Sequence, residues 1–252
     1  MSGSSWLTRK WVFRQVFRAL LDIVFPPLCH SCRAFIPDAG PLHLCSSCRG
    51  EVHTVSSPLC ETCGIPFATP GGIDHRCGAC LATPPRFASA RSAVLFDGVA
   101  RDLIHRFKYD RKVHLARPLA LLTEDALTSF ALSSGAEFLI PVPLHRRRLR
   151  ERGFNQAVLL GRPLAKQWGI PLSVDNLKRI RWTEPQITLS ASEREANVRG
   201  AFALTDPAAV RGKKVLLLDD VYTTGSTVAE CSRVLRQAGT ETVYVITVAR
   251  AV

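Results

Sequence analysis

Two adjacent carboxylates, Asp219 and Asp220, stand at the end of an apolar segment, residues 215–218, that is typical of a buried parallel strand. A run of mostly small, hydroxyl-bearing residues follows and leads directly into a predicted helix: Val221, Tyr222, Thr223, Thr224, Gly225, Ser226 and Thr227. The first turn of a helix has unpaired N–H groups and a partial positive charge, so such a loop is suited to holding a phosphate. Glycine at position 225 would let the backbone approach the ligand closely. The segment therefore predicts a phosphate site with two acids beside it.

The two acids narrow the kind of phosphate site. A P-loop would need the pattern G-x-x-x-x-G-K-S/T, which this segment does not contain. Carboxylates beside a phosphate are useful when the ligand also offers sugar hydroxyls or brings a divalent cation. Thr227 and Glu230 have the T-x-x-E spacing of a capping box, which predicts a helix over 227–238. The alternative is a strand–turn–helix unit in which the acids are incidental.

Eight of the nine cysteines form four pairs with two residues between the members of each pair: Cys29 and Cys32, Cys45 and Cys48, Cys60 and Cys63, Cys77 and Cys80. This spacing lets two thiolates face one ion from a tight turn, and two such pairs make a tetrahedral zinc site. We predict two structural zinc ions, each shared by consecutive pairs, with an interleaved pairing as the alternative. Cys231 lies outside the pattern and is predicted to be a small buried residue of a helix.

A disulfide framework is the other explanation of the paired cysteines, and it would require export of the protein. Residues 1–25 do not form an export signal, because charged residues interrupt their apolar positions and no small-residue cleavage site follows. Reduced, zinc-bound cysteines and a cytoplasmic location are therefore expected. No stretch is long and apolar enough to predict a membrane span.

The composition indicates a basic globular protein. The chain has 252 residues, 46% of them hydrophobic, with 33 Lys and Arg against 21 Asp and Glu, a formal net charge of +12. These values exclude wholesale disorder and favour phosphate-bearing partners. Residues 145–152 read HRRRLRER. The run would suit a nucleic-acid backbone, a diphosphate or a solvated surface, and these alternatives stay open.

Strands and helices alternate in the C-terminal two thirds of the chain. The pattern predicts strands near 90–96, 138–140, 215–218 and 242–248, and helices after Asp97 and over 117–131, 154–168 and 227–238. Such alternation predicts an α/β domain with a mostly parallel sheet. Residues 6–25 predict an amphipathic helix that either packs on the rest of the protein or lies on a membrane surface.

Residues 215–227 resemble the 5-phosphoribosyl-1-pyrophosphate (PRPP) signature of type I phosphoribosyltransferases. Further motifs match as well: the eight-cysteine module, then RFKY at 106–109, PVP at 141–143, RGFNQ at 152–156, and the stretch from Arg194 through Asn197 to GAF at 200–202. Jointly they are similar to the ComF family. The resemblance implies an N-terminal helix (1–27), a double zinc ribbon (28–83) and a domain of type I phosphoribosyltransferase fold (86–252).

The resemblance also implies roles for individual residues. Asp219 and Asp220 would bind the ribose hydroxyls, directly or through Mg²⁺, and Val221 with residues 223–227 would hold the 5′-phosphate. Arg147, Arg148 and Arg152 would belong to the pyrophosphate loop. A flexible loop that closes over the substrate would include Thr183, Gln186 and Arg194. The implied reaction displaces pyrophosphate at C1 of the ribose and uses no covalent nucleophile.

Three functions remain open at this point. The first is a Mg²⁺-dependent phosphoribosyltransferase that serves DNA uptake and natural transformation, as the resemblance implies. The second is a non-catalytic PRPP sensor that binds single-stranded DNA and acts with competence proteins. The third is an interaction protein held together by zinc, whose sugar-phosphate site is vestigial. The intact acid pair and hydroxyl loop argue against the third.

Overall fold

The computed structural model describes residues 25–37, 39–69, 71–183 and 190–252. Contacts divide the chain into two compact units, residues 1–50 and 51–252. The predicted helix over 6–25 and the predicted loop residue Gln186 lie outside the described residues, apart from Phe25. Within the described ranges, no helix has both the length and the apolar character needed to cross a membrane. The three-part domain division stays a prediction.

The second unit contains a four-stranded parallel sheet. In chain order the strands are β1 (Ser89–Leu95), β2 (Phe138–Pro141), β3 (Leu177–Arg179), β4 (Phe202–Leu204), β5 (Lys214–Tyr222) and β6 (Thr242–Arg250). The sheet has the order β1-β6-β5-β2, and β3 pairs with β4 in a separate antiparallel ribbon. The predicted α/β class with a parallel sheet is confirmed.

The described helices are α1 (Ser46–Gly50) in the first unit and, in the second, α2 (Gly78–Ala82), α3 (Gly98–Tyr109), α4 (Ala116–Ser133), α5 (Arg146–Arg152), α6 (Gln156–Trp168), α7 (Ala191–Val198) and α8 (Ser226–Gln237). Helices α3 and α4 lie between β1 and β2, and α8 lies between β5 and β6, since parallel strands need such crossover connections. The helices α3, α4, α6 and α8 were predicted within a few residues. Helix α6 ends where predicted, at Gly169, which has the left-handed backbone conformation that ends many helices.

Alternate residues of β5 build two separate cores, because successive side chains of a strand point to opposite faces. Val215 and Leu217 join the buried cluster that contains Cys231 of α8, whose predicted burial is confirmed. Leu218 faces α6, where a Cβ at Gly161 would come within 3.2 Å of the Leu218 side chain. Glycine at 161 therefore lets this helix approach the sheet closely.

Two short helices near the cavity were not predicted. Helix α5 covers the arginine run, and all of its residues are described and none is buried. Helix α7 begins with a capping box in which Ser190 and Glu193 bond to each other's backbone N–H groups. Short elements with little or no buried face lack the apolar periodicity on which sequence-based prediction depends.

Candidate active site

A cavity of about 230 Å³ opens at the carboxyl ends of β2 and β5, where parallel α/β sheets bind ligands. Most of the predicted site residues line it: Asp219, Asp220, Val221, Thr223, Gly225, Ser226, Thr227, Arg148, Arg152 and Arg194. Arg147 and Thr224 are not among the described residues of its wall. The fold thus brings the predicted acids, the hydroxyl loop and two arginines of α5 to one place, while their substrate roles stay predictions.

The loop after β5 places a helix N-terminus at the cavity. Gly225 is the N-cap of α8 and has φ +78°, a left-handed conformation that favours glycine. A Cβ at this position would overlap the ring and hydroxyl of Tyr222. Next to it, the hydroxyls of Thr224 and Ser226 lie 2.8 Å apart. The turn is therefore compact, and Ser226 and Thr227 in the first turn of α8 line the cavity.

The predicted capping box of α8 is wrong. The helix begins at Ser226, and the Glu230 carboxylate accepts hydrogen bonds from the Gly200 N–H and from Arg233, each at 2.7 Å. Glu230 thereby fixes α8 to the turn that precedes β4. The T-x-x-E spacing suggested a cap. It could not show that the turn at Gly200, which lies 30 residues earlier in the chain, would bind the Glu230 carboxylate instead.

The acid pair has an asymmetric environment. The Asp220 carboxylate forms an ion pair with Lys108 at 2.7 Å, and both side chains are largely buried. Asp219 accepts a hydrogen bond from the Asp220 N–H at 2.9 Å. Burial and the neighbouring Asp220 carboxylate raise the pKa of Asp219 to about 7, although Lys108 acts in the opposite direction. Raised carboxyl pKa values of this kind are common at functional sites.

This raised pKa predicts a pH-dependent gain in stability for the Asp219→Asn variant. The folded chain binds the proton of Asp219 more tightly than the unfolded chain, whose pKa is near 3.8. The resulting stabilisation is complete below that value and is lost as the pH rises to 7. An uncharged Asn avoids this loss of stability. We therefore expect the Tm of the variant at pH 8 to exceed that of the wild-type protein by about 3 °C or more.

The gain should shrink as the pH is lowered to 5, where Asp219 of the wild type is largely protonated. Thermal unfolding at both pH values measures it. Asp102→Asn, an exposed substitution on α3, is the matched control and should leave Tm unchanged. A gain that did not depend on pH would contradict this account of Asp219.

The arginines of α5 divide into two groups. Arg148 and Arg152 line the cavity, and the Arg152 guanidinium lies 5.2 Å from the centre of the Tyr109 ring. Arg147 instead forms an ion pair with Glu151 at 3.1 Å and lies over the Trp182 ring at 4.6 Å. Arg148 also lies near the Trp182 ring, at 5.5 Å, so the two adjacent arginines share this neighbour and differ in that only Arg148 lines the cavity.

Two charged residues of the described cavity wall, Lys108 and Arg179, were not singled out as site residues by the sequence. Lys108 belongs to the RFKY motif, which was a signal for it. Arg179 lies on the unpredicted strand β3, donates a hydrogen bond to the buried Thr183, and stacks over Phe202 at 5.3 Å. Its buried Nε has no hydrogen-bond partner among the described residues. Arg179 as a residue lines the cavity, where a guanidinium group suits an anionic ligand.

The eight paired cysteines form two clusters that fit zinc. Consecutive pairs come together, and within each set of four the sulfur atoms lie within 4.8 Å of one another. None of the nine cysteines, all described, forms a disulfide. In the second cluster the N–H groups of Cys63 and Cys77 donate to the Cys60 sulfur at 3.4 and 3.3 Å. The predicted consecutive pairing is confirmed.

The chemistry of these sulfurs also suits a metal. Burial raises the pKa of a thiol, yet backbone N–H groups around Cys29 and Cys60 outweigh that effect and lower both pKa values to about 6. A lowered pKa favours the thiolate, the form that binds zinc, at one sulfur of each cluster, whereas burial raises the pKa values of Cys48, Cys63 and Cys80.

The second cluster is packed into the core of the second unit. Cys60, Cys63 and Cys80 belong to the same buried cluster as Tyr222. Arg250, at the end of β6, donates to the Cys63 carbonyl at 2.6 Å and lies 4.0 Å from the centre of the Tyr222 ring. Since Tyr222 supports the turn at Gly225, contacts run without interruption from this cysteine cluster to the cavity wall.

Comparisons with known proteins agree with both parts of the structure. Residues 20–81 match the family described as double zinc ribbon domain, and residues 155–251 match the family described as phosphoribosyl transferase domain. The parallel α/β sheet with its site at the carboxyl ends of β2 and β5 is the type I phosphoribosyltransferase fold. The cysteine-rich zinc-ribbon module precedes it.

Relatives extend the similarity to nearly the whole chain. DNA utilization protein YhgH of Salmonella typhimurium is 37% identical over 227 residues, which cover 88% of this chain and 96% of that protein. Competence protein F of Haemophilus influenzae is 34% identical and covers 82% and 96% of the two chains. Competence protein ComFC of Bacillus subtilis is 26% identical and covers 78% and 79%. The chain belongs to the ComF family, in which a double zinc ribbon is combined with a phosphoribosyltransferase-type domain.

Proposed function

We propose that the protein binds PRPP with Mg²⁺ in this cavity, transfers its phosphoribosyl group, and serves the uptake or use of DNA in the cytoplasm. One observation carries the proposal. The Asp219–Asp220 pair, the N-terminus of α8 and the guanidinium groups of Arg148 and Arg152 all line one cavity. These are the groups that a ribose with a phosphate at one end and a diphosphate at the other requires.

Each part of the cavity then has a defined task. The N–H groups and hydroxyls at the start of α8 bind the 5′-phosphate, and the acid pair binds the ribose hydroxyls. Mg²⁺, whose preferred ligands are carboxylate and phosphate oxygens, supplies charge neutralisation. In the reaction the bond from C1 to the diphosphate oxygen breaks, its electron pair leaves with pyrophosphate, and a nucleophile bonds to C1. Arg148 and Arg152 stabilise the negative charge that develops on the leaving group.

The DNA-related role rests on the relatives. Two groups of similar proteins bear the names DNA utilization protein and competence protein. By similarity we propose the same cellular process for this chain, with DNA-uptake proteins as partners. The basic composition of the chain is compatible with a phosphate-bearing partner of this kind.

A second candidate function is a non-catalytic PRPP sensor that binds single-stranded DNA. It is favoured by the surface of α5, where Trp182 is flanked by His145 and by the guanidinium groups of Arg147 and Arg148 at 4.6 and 5.5 Å. Aromatic rings beside cationic groups are the features that bind single strands through stacking and charge.

Calorimetric titration with PRPP, with and without Mg²⁺, tests the proposal, and pyrophosphate release is followed in parallel with bases, amines and single-stranded DNA as acceptors. We expect Mg²⁺-dependent binding and release with one class of acceptor. Binding without release, together with PRPP-dependent affinity for single-stranded DNA, would favour the sensor. Failure of PRPP to bind would overturn both functions.

A further inference from the structure

The ion pair between Lys108 and Asp220 is an unusual feature of the cavity. Its nitrogen and oxygen are 2.7 Å apart, and only 16% and 13% of the two side chains are exposed. The partners come from distant elements, the last turn of α3 and the end of β5. Buried neighbours on α3, including Leu103 and Phe107, hold the helix in place, so the position of the ammonium group is determined by the fold.

Stability of the fold does not by itself account for this pair. Removing two charges from water costs free energy, and a buried ion pair recovers it only in part, so that well-packed apolar residues often serve equally well. Both residues also line the cavity itself. A role in ligand binding is the more direct explanation of a charged pair at this place.

The ammonium group occupies one of the carboxylate oxygens that the acid pair offers to a divalent cation, Asp220 Oδ1. Mg²⁺ binds carboxylate oxygens at about 2.1 Å. A metal ion on Asp220 Oδ1 would then lie within a few ångströms of the Lys108 nitrogen, and the two cations would repel each other strongly at so short a distance. Lys108 and a metal ion therefore exclude each other at this oxygen.

We propose that Lys108 is a resident cation that holds the Asp220 carboxylate until metal and sugar phosphate arrive together. A metal ion alone would displace the ammonium group and leave it without an anionic partner. With the sugar phosphate present, a phosphate oxygen becomes that partner. The lysine thus makes metal binding and ligand binding favour each other, as thermodynamic linkage requires. The inference deepens the proposed function and rests on it.

Binding of Mn²⁺ alone, measured by electron paramagnetic resonance of the free ion, tests this role without any turnover. We expect Lys108→Gln to bind Mn²⁺ about fivefold tighter or more than the wild type, because the competing cation is gone. Lys108→Arg, which keeps the charge, should remain close to the wild type. Lys213→Gln is the matched control, since Lys213 forms an exposed pair with Glu137 of the same 2.7 Å length at the opposite end of β5.

A folded Lys108→Gln variant with unchanged or weaker Mn²⁺ affinity would overturn the role of Lys108. The wild-type protein offers a second measurement, reductive methylation of lysines followed by mass spectrometry. Saturating Mn²⁺ should raise the rate at Lys108, and a rate that does not respond would also contradict the inference. If PRPP failed to bind while Lys108→Gln gained Mn²⁺ affinity, the proposed function and the coupling to the sugar phosphate would be wrong, and only the competition between Lys108 and a metal ion would stand.

Discussion

Replacing Asp219 and Asp220 together with asparagine is expected to abolish PRPP binding. Both carboxylates line the cavity, and no other carboxylate is among its described wall residues. Asparagine keeps the shape of each side chain but cannot neutralise a metal ion and is a weaker acceptor for sugar hydroxyls. We expect the Kd for PRPP with Mg²⁺ to rise by about 100-fold or more, the order of two lost charge-assisted contacts. Calorimetric titration measures it.

The control variant removes the same number of negative charges as the site variant, but at residues outside the cavity wall. Asp102 on α3 and Asp125 on α4 are exposed, and their double asparagine variant should bind PRPP as the wild type does. Thermal unfolding verifies the fold of both variants. Within the site variant, Asp219→Asn removes a destabilising charge and Asp220→Asn leaves Lys108 without its carboxylate, so the two effects on Tm oppose each other. Wild-type affinity for PRPP in the folded site variant would disprove the site assignment.

Loss of the second cysteine cluster is expected to affect PRPP binding far more than loss of the first. Cys29 and Cys60 are a matched pair, since both are fully buried and both have a pKa lowered to about 6. Cys60, however, belongs to the buried cluster that includes Tyr222. Cys60→Ser should lower the Tm of the second unit by about 10 °C or more, the scale of a lost structural metal, and PRPP binding should be lost with it. Cys29→Ser should keep its PRPP affinity within about twofold.

Three measurements on each variant check this asymmetry: zinc content, thermal unfolding and PRPP titration. Stepwise removal of zinc from the wild-type protein by a chelator provides a second test if Cys60→Ser fails to fold. Release of one zinc ion should leave PRPP binding intact, and release of the other should abolish it. Equal losses in both serine variants would show that the second cluster has no special connection to the cavity.

The two clusters differ because the second is joined to the sheet at several points. The Ala90 N–H of β1 donates to the Thr62 carbonyl at 2.7 Å, and Arg91 donates to the Glu61 carbonyl at 3.0 Å. A Cβ at Gly64, whose φ is +68°, would overlap the Ala90 carbonyl, so the ribbon approaches β1 closely. Together with the Arg250–Cys63 contact, these bonds make the second ribbon part of the core of its unit.

The sequence by itself determined the features that arise from short-range spacing. Pairs of cysteines two residues apart predicted the two four-sulfur clusters, and apolar periodicity predicted the sheet strands β1, β2, β5 and β6. The order strand, acid pair, hydroxyl loop, helix predicted where Asp219 and Gly225 would lie. These predictions succeed because the backbone geometry of helices, strands and tight turns converts local spacing directly into direction.

Only the tertiary structure decided which distant residues meet at the cavity. It paired Lys108 with Asp220 and placed Arg179 in the same cavity wall. It left Arg147 outside that wall, beside Trp182, and bonded Glu230 to the turn at Gly200 instead of to the N-terminus of its own helix. It also packed the second cysteine cluster against Tyr222 through Arg250. Each of these contacts depends on the relative position of elements far apart in the chain, which the packing of the two cores sets and which no local spacing records.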